Sequence, residues 1–550
     1  MRVTIGIPES LQNALLPEVG SVLDVKQVNK LHKTAEKQQG EILRLGAALL
    51  FIAAIMLYTI VRGEELGVQG SLFVVIAAMI GAYMAMNIGA NDVANNVGPA
   101  VGSGALTMGG AILIAGIFEA SGAIIAGGDV ASTIRSDIID PTLIPNPQTF
   151  MWLMLAALLA AALWLNLATY IGAPVSTTHS IVGAVLGAGI AAGGFQVANW
   201  DVIGKIVASW VISPLSGAVI AAALLYLIKR TITYKSDKAA AAVRWVPVLV
   251  AAMAFASATY LVTKGLGKLI KVDMLVAYGI GTVSAVATYL LVRPMLQSRL
   301  EQIENSKEGV NALFTIPLIF SAALLSFAHG SNDVANAIGP LAAIVEVVRT
   351  GADEIHTMAP IPLWVMMIGA LGLSIGLWLY GPKLIRTVGS EITEIDRMRA
   401  FCIAMSATLT VIVASQLGLP VSTTHIAVGA VIGVGILREY LKTSYARMIE
   451  EIKSHHLDDD PEVHQFIARF NAASIAKKGQ MLEELKQAAR EHHSLLSKQE
   501  RKGLKTVYRT ELVKRSLVLK IIAAWLVTVP ATALLAAILF FTIRGMMITG

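Results

Sequence analysis

The sequence has little of what most soluble proteins contain. Only 15% of its 550 residues are charged, against about 25% in a typical soluble protein, and 55% are hydrophobic. Cys402 is the one cysteine, so no intramolecular disulfide can form. No G-x-x-x-x-G-K-[ST] loop is present, which argues against ATP as an energy source within the chain. The low charge excludes a soluble enzyme and indicates a polytopic membrane protein.

The charge that is present is unevenly distributed. The net charge is +6, but 28 of the 80 charged side chains lie in one stretch, 438–515. Charge at the bilayer centre costs at least ~2.5 kcal/mol per residue, so a membrane chain keeps its charges in loops. Basic loops at 229–244, 293–307 and 383–399 are expected in the cytoplasm under the positive-inside rule. The basic balance therefore reflects topology, and no nucleic-acid partner is expected.

Thirteen apolar segments approach the 17–25 residues that a membrane-crossing helix needs. Two further segments, 90–107 and 333–349, are interrupted by polar residues and glycine, and we expect them to be broken or re-entrant. The chain is thus predicted to be an all-α polytopic membrane protein with about 12–13 transmembrane helices. The apolar segments are 46–62, 71–88, 109–127, 151–171, 178–194, 203–228, 246–264, 272–292, 313–329, 361–381, 400–417, 421–437 and 517–543.

The strongest pattern is an internal duplication of two motifs. Gly89-Ala-Asn-Asp-Val-Ala-Asn-Asn-Val-Gly-Pro99 reappears as Gly330-Ser-Asn-Asp-Val-Ala-Asn-Ala-Ile-Gly-Pro340. Gly172-Ala-Pro-Val-Ser-Thr-Thr-His179 reappears as Gly418-Leu-Pro-Val-Ser-Thr-Thr-His425, in the same order. The loop charges place the two copies in opposite orientations, which predicts two inverted-topology repeats with a site at their interface.

This duplication organises the whole chain into seven predicted parts. They are a cytoplasmic tail (1–45), an extra transmembrane helix (46–70), transporter repeat 1 (71–230), a two-helix linker (231–312), the first part of repeat 2 (313–437), a charged helical cytosolic insertion (438–515) and the final helix of repeat 2 (516–550). Since no secretory signal or transit sequence opens the chain, we expect a bacterial inner membrane.

The Asn-Asp motif places carboxylates and amides inside apolar segments. An unpaired Asp there is costly, so a cation or proton is its natural partner. Oxygen ligands suit a hard cation such as Na⁺, and Asp92 and Asp333 are the candidate Na⁺ ligands. The alternative is that these polar side chains only lock helices together. The motif residues are Asn91, Asp92, Asn95 and Asn96 in the first copy and Asn332, Asp333 and Asn336 in the second.

The Pro-Val-Ser-Thr-Thr-His motif is typical of a helix N-terminus that follows a proline break. Free N–H groups, the positive end of the helix dipole and three hydroxyl groups would form an anion-binding cup in each half. Ordinary N-capping is the alternative. The cup residues are Ser176, Thr177 and Thr178 in the first half and Ser422, Thr423 and Thr424 in the second.

Other polar residues in apolar surroundings are weaker candidates. Glu119 is an acidic residue within a membrane helix. It either takes part in cation coupling or is a buried carboxylate with satisfied hydrogen bonds and no transport role. For His179 and His425 we favour a role in bracing the turn beside each cup over a role as a proton shuttle. The histidines and aspartates of the 438–515 insertion could bind a metal, but a solvated helical segment is the favoured interpretation. Closely spaced glycines at 183 and 187, and at 429 and 433, predict tight helix packing.

At these motifs the chain resembles the inorganic phosphate transporter family, the Pit-type carriers. The resemblance implies cotransport of inorganic phosphate with Na⁺ or H⁺ across two inverted repeats. It assigns cation coupling to Asp92, Asp333 and their neighbouring asparagines together with Glu119. By the same resemblance the Ser-Thr-Thr triplets, with Asn95 and Asn336, would hold phosphate. Some members carry an acid in the second half, where Ala404 is aligned here.

We therefore expect a secondary active transporter, not an enzyme, that imports phosphate with Na⁺ or H⁺ by alternating access. No cofactor is expected, the lipid bilayer is an expected partner, and a homo-oligomer is left open. One alternative keeps the fold but transports sulfate or another tetrahedral oxyanion. A second alternative is an anion channel or a membrane receptor that signals through its cytosolic insertion.

Overall fold

The computed structural model is all-helical in the part of the chain that it describes. It forms two compact units, residues 1–53 and 54–550. The one β-type contact in the described part is an isolated bridge between Ile139 and Ala198. The described residues are 25–68, 71–171, 175–265, 272–350, 360–391, 396–455, 465–466, 469–470, 481, 484 and 515–547. Most of the predicted 438–515 insertion, including its candidate metal-binding histidines, lies outside these residues or their described side chains, as does Pro174.

Fourteen long helices carry the architecture of the described residues. By the predicted division of the chain, α2 to α6 fall in repeat 1, α7 and α8 in the linker, and α9 to α14 in repeat 2 with its insertion. Their bounds are α1 Val25–Val61, α2 Leu72–Gly102, α3 Met108–Ala126, α4 Pro147–Ile171, α5 Thr177–Gly193, α6 Trp200–Ile228, α7 Lys238–Lys264, α8 Met274–Gln297, α9 Thr315–Asp333, α10 Ala335–Thr350, α11 Leu363–Glu391, α12 Arg397–Gln416, α13 Thr423–His455 and α14 Arg515–Met547.

Eleven of the described helices are long and apolar enough to cross a membrane. The number becomes twelve if Lys307–Leu313 and Thr315–Thr350, which meet at a 41° bend, form one span. Each of the thirteen predicted apolar segments coincides with a helix. Of these thirteen segments, the one that is not counted among the twelve spans is α5. It is apolar but has only 17 residues, too short to count as a span by itself.

The prediction of a broken segment at 90–107 is wrong for the first repeat. Helix α2 continues through the Asn-Asp motif and through Pro99 before it ends at Gly102. A continuous helix satisfies its own backbone hydrogen bonds, which is the cheapest solution in surroundings without water. In the second repeat α9 and α10 follow each other through Val334, whose N–H donates to the Gly330 carbonyl (3.4 Å) and whose carbonyl accepts from the Ile338 N–H (3.0 Å), so the backbone stays helical across this motif as well.

The two repeats pack with inverted orientation. Helix α2 packs on α11 as α9 packs on α3, and α5 packs on α14 as α13 packs on α6. Arg397 marks one end of the molecule, since its guanidinium contacts Thr315 Oγ1 (2.9 Å) and the Gly104 carbonyl (3.3 Å). Helix α2 ends near this point, whereas α9 begins there. The corresponding helices therefore run in opposite directions, as the loop charges predict.

Glycines bring these symmetric helix pairs into close contact. Gly89 lies against the backbone of Leu373, and Gly330 lies against the backbone of Glu119 in the same way. The Gly183/Gly187 pair meets the α14 backbone, and the Gly429/Gly433 pair meets the α6 backbone. A Cβ atom at these glycines would overlap main-chain atoms. The predicted role of the glycine pairs in tight packing is confirmed.

Ion pairs lie at both ends of the helix bundle. At the end marked by Arg397, Asp396 caps α12 through the Arg399 N–H (3.0 Å) and lies 3.4 Å from Lys307 Nζ. Burial raises the pKa of the Asp396 carboxyl, but Arg399 and Lys307 outweigh burial and hold this pKa below its ordinary value. At the opposite end, Lys264 pairs with Asp129.

Candidate functional site between the repeats

The Asn-Asp motif of the first repeat lies on α2 and is buried. Asp92 Oδ1 accepts a hydrogen bond from Thr424 Oγ1 at 2.8 Å. Asn95 Nδ2 donates to the same hydroxyl oxygen, also at 2.8 Å. Asn91 donates to Thr169 Oγ1 at 3.0 Å, within its own repeat. The first-repeat motif therefore contacts the Ser-Thr-Thr triplet of the second repeat.

The second-repeat motif makes the reciprocal contacts. Thr423 and Thr177 donate to Asp333 Oδ2 at 3.1 Å and 3.5 Å. Asn336 Nδ2 lies 3.2 Å from Thr177 Oγ1 and 3.3 Å from Thr178 Oγ1. Asn332 matches Asn91 by donating to Ser415. Both motifs and both triplets thus meet at the interface of the inverted repeats.

The two Ser-Thr-Thr triplets begin α5 and α13, as predicted. Ser176 accepts from the His179 N–H at 3.1 Å, and Ser422 accepts from the His425 N–H at 3.2 Å. Two helix N-termini, each with a cap and two threonine hydroxyls, are therefore buried beside the carboxylates. Thr178 also donates to the Val421 carbonyl at 2.9 Å, which joins the two cups directly.

The two histidine rings contact each other across the repeat interface, tilted by 47°. Their ring centroids are 4.4 Å apart, and each ring also packs on a tryptophan. His179 lies 3.7 Å from Trp210, and His425 lies 3.4 Å from Trp525. His179 Nδ1 is 2.6 Å from Ser176 Oγ. The four tilted rings thus form one row of contacts beside the two helix N-termini, and the bracing role of the histidines stays a prediction.

One set of polar contacts has no symmetric counterpart. His329 Nδ1 lies 3.0 Å from Glu119 Oε1, and its Nε2 lies 3.1 Å from Asp333 Oδ2. Asn96 Nδ2 donates to the same Glu119 oxygen at 2.7 Å. His329 was not identified as a site residue from the sequence, although it directly precedes Gly330 of the motif and so could have been found.

The packing also corrects the symmetry alignment of Glu119. The glycines place Glu119 opposite Gly330 and Leu373 opposite Gly89, so Leu373 is the counterpart. Ala404, which the family resemblance aligns with Glu119, lies on α12 and corresponds to neither position. The sequences around Glu119 and Leu373 have little in common besides a glycine three residues later. The sequence alone therefore did not reveal that these two positions correspond.

The chemistry of the site suits a cation and an anion together. One ligand atom each from Asp92, His329 and Asp333 lie within 4.8 Å of one another. Among the described residues, Asp333 Oδ1 and Asn336 Oδ1 are buried oxygens without a hydrogen-bond partner, and such atoms are costly unless a ligand occupies them. Carboxylate and amide oxygens fit a hard cation, and the capped helix ends fit an anion.

Comparisons with known proteins agree with this arrangement. A family model described as the phosphate transporter family matches residues 88–536. A protein of Helicobacter pylori (strain ATCC 700392 / 26695) named "Putative phosphate permease" is 51% identical over 525 residues, covering 94% of this chain and 98% of that one. A similarly named permease of Pyrococcus horikoshii is 40% identical over 367 residues, covering 66% of this chain and 89% of its own.

A solved structure gives the same result for the fold. It is named "The sodium-dependent phosphate transporter" and is similar with a TM-score of 0.70 and 30% identity, covering 87% of this chain and all of that one. The fold and site define a multi-pass membrane transporter and not an enzyme. The chain belongs to the phosphate transporter family.

Proposed function

We propose that the protein imports inorganic phosphate by Na⁺ symport, with alternating access to the site between the repeats. The observation that carries this proposal is the reciprocal pairing of each Asn-Asp motif with the threonines of the opposite repeat, at Asp92 with Thr424 and at Asp333 with Thr177. A site built from both halves changes its access when one half rocks against the other. Similarity to a transporter that is named as sodium-dependent supports Na⁺ as the coupling ion.

In this proposal one kind of motif binds phosphate and the other binds Na⁺. The hydroxyl groups and N–H groups of the two Ser-Thr-Thr triplets bind phosphate, with Asn95 and Asn336 donating from the side. Asp92 and Asp333 bind Na⁺ with the help of Asn91 and Asn332. Glu119 acts on the cation site through His329, which lies between Glu119 and Asp333.

Coupling to Na⁺ supplies enough energy for accumulation without ATP. One net positive charge that moves inward gains ~2.3 kcal/mol per 100 mV of membrane potential. Since each ~1.4 kcal/mol is a factor of ten, one charge supports roughly fiftyfold accumulation at that potential. The cell membrane, and in bacteria the inner membrane, is the proposed location because such a potential exists there.

The proton is the second candidate coupling ion. The observation that favours it is the unbroken line of polar groups from Asn96 through Glu119 and His329 to Asp333, all buried. The corresponding positions of the other half include the apolar Leu373. This line of polar groups is present once in the described site, whereas the Asn-Asp motif with its aspartate is present in both repeats.

Uptake in proteoliposomes separates these possibilities. Purified protein is reconstituted into vesicles, and uptake of labelled phosphate is measured under three conditions. These are an inward Na⁺ gradient, an inward choline gradient in place of Na⁺, and a pH gradient alone. We expect uphill uptake with Na⁺, little with choline, and no inhibition by excess sulfate. Uptake with choline and a pH gradient would assign H⁺, inhibition by sulfate would assign a broader oxyanion carrier, and purely downhill flux would assign a channel.

The site assignment is tested in the same vesicles. Asp92→Asn and Asp333→Asn are each expected to abolish Na⁺-driven uptake, while Asp201→Asn, in an exposed carboxylate on the first turn of α6, should leave uptake unchanged. Uphill uptake that survives both site substitutions would show that Na⁺ binds elsewhere.

A further inference from the structure

A large apolar cavity lies outside the transport site. Its volume is about 600 Å³, and it is a partly open cavity lined by residues of α3, α7, α8 and α9. Nearly all of its lining is aliphatic or aromatic, with Met253, Phe320 and Phe327 among the larger side chains. An empty cavity of this size forfeits many dispersion contacts, and an apolar one is not filled by water.

The cavity has the length and position of a hydrocarbon chain in a bilayer. On α7 its lining runs from Val246 to Leu261, which corresponds to about 22 Å at the helical rise of 1.5 Å per residue. The hydrocarbon core of a bilayer is about 30 Å thick, and both α7 and α8 are apolar enough to cross it. The cavity therefore spans much of one bilayer and opens among helices that face lipid.

Two exposed arginines, Arg244 on α7 and Arg293 on α8, adjoin lining residues in sequence at one end of this cavity. Helices α7 and α8 are antiparallel, and Phe255 stacks on Tyr278 with ring centroids 6.3 Å apart. This register brings Arg244 on α7 to the level of Tyr289 on α8, about one helical turn (~6 Å) from the level of Arg293. Both side chains are exposed, and they stand beside the lining residues at the basic end of the bundle.

Arg293 is oriented as expected at a membrane interface. Its guanidinium lies 5.7 Å from the centroid of the Tyr289 ring, on the preceding turn of α8. An arginine fixed over an aromatic ring at the end of a membrane helix is well placed to bind a phosphate group by charge-assisted hydrogen bonds. Arg244 supplies a second cation about one helical turn away along the helix pair.

We propose that this cavity binds an anionic phospholipid. One acyl chain fills the cavity between α3, α7, α8 and α9, and the lipid phosphate lies against Arg244 and Arg293. The wall of the cavity continues toward the transport site, because Phe327 packs edge-on against Tyr260 (6.0 Å), whose hydroxyl lies 2.6 Å from Ser331 Oγ. Ser331 directly precedes Asn332, so the lipid supports the back of the α9 motif.

Native mass spectrometry of the detergent-purified protein tests this site. The protein is mixed with phosphatidylglycerol or phosphatidylcholine of identical acyl chains, and retained lipids are counted. Each basic residue near the membrane surface strengthens binding of an anionic lipid by roughly fivefold. We therefore expect one phosphatidylglycerol molecule to be retained at least tenfold more strongly than phosphatidylcholine.

Two kinds of variant examine the headgroup and chain contacts separately. Arg244→Gln combined with Arg293→Gln should reduce the preference to below about twofold, while Lys235→Gln, a loop cation away from the lining, should keep it. Ala254→Trp should fill the cavity and remove the tightly held lipid of either kind. Leu215→Trp, on an exposed face of α6, is the matched control.

Three results would overturn the proposal. They are equal retention of the two lipids by the unmodified protein, an unchanged preference in the double arginine variant, or an unchanged number of retained lipids in Ala254→Trp. A thermal melt of each variant verifies folding, and Ala258→Phe, at a second lining position, replaces Ala254→Trp if that protein does not fold. None of these measurements involves phosphate uptake, so the outcome is independent of the proposed transport function.

Discussion

Thr424 is the side chain on which the cross-repeat pairing can be measured most directly. Its hydroxyl donates to the buried Asp92 carboxylate and accepts from Asn95, both at 2.8 Å. Thr424→Val keeps the shape of the side chain but removes both bonds. A hydrogen bond to a charged group contributes about 1.5–3 kcal/mol, which corresponds to a roughly 10- to 150-fold change.

We expect this loss to fall on transport, because Thr424 bridges the two motifs that form the site. Thr424→Val should lower kcat/KM for Na⁺-driven phosphate uptake at least tenfold, and Thr424→Ser, which retains a hydroxyl, should recover most of it. Thr408→Val is the matched control, since the buried Thr408 hydroxyl donates only within its own helix, to the Ala404 carbonyl at 2.7 Å.

The refuting result is equally specific. If Thr424→Val transports phosphate at more than half the normal kcat/KM while Thr424→Ser and Thr408→Val also remain active, the pairing of repeats is structural and does not form the site. A melting temperature within a few degrees of the parent protein would show that Thr424→Val is folded and that its loss of uptake is not a loss of protein.

Three further predictions concern packing, the asymmetric acid and the basic end of the bundle. Gly187→Leu should destabilise the protein by about 1–3 kcal/mol or prevent folding, because its side chain would overlap the Ala533 backbone, whereas Gly204→Leu, with open space around it, should melt normally. Glu119→Gln should reduce uptake at least tenfold while the protein remains folded, and normal uptake would exclude Glu119 from coupling. Asp396→Asn should lower the melting temperature at pH 7; because the folded-state pKa of Asp396 is depressed, the difference should shrink as the pH falls through and below about 4, and a difference independent of pH would contradict the assigned ion pairs.

Much of the site was predictable because the motifs are duplicated and polar in an apolar background. Asp92, Asp333 and the Ser-Thr-Thr triplets could be named from the sequence, since buried carboxylates and capped helix starts have few uses in a membrane. The same reasoning missed His329, whose significance depends on Glu119, more than two hundred residues away in the chain. A lone histidine beside a motif carries no signal until its neighbours in space are known.

The sequence misjudged local backbone more often than overall architecture. Gly and Pro in the first Asn-Asp motif indicated a broken segment, but α2 remains helical through Pro99. Propensity scales describe helices in water, whereas a chain without water nearby keeps every internal hydrogen bond that it can. The bend found in the second repeat lies instead between Lys307–Leu313 and Thr315–Thr350, ahead of its Asn-Asp motif.

The membrane class, the helical architecture, the duplication and the opposed orientation of the repeats could all be predicted from the amino-acid sequence. These properties follow from composition and from the order of motifs along the chain. The pairing of the motifs in space became known from the three-dimensional structure. It paired Asp92 with Thr424 across the repeats, set Glu119 opposite Leu373 rather than Ala404, and placed His329 between two acids. Such pairings depend on helix packing at closely spaced glycines. Contacts between segments that are distant in the chain cannot be predicted from a single sequence.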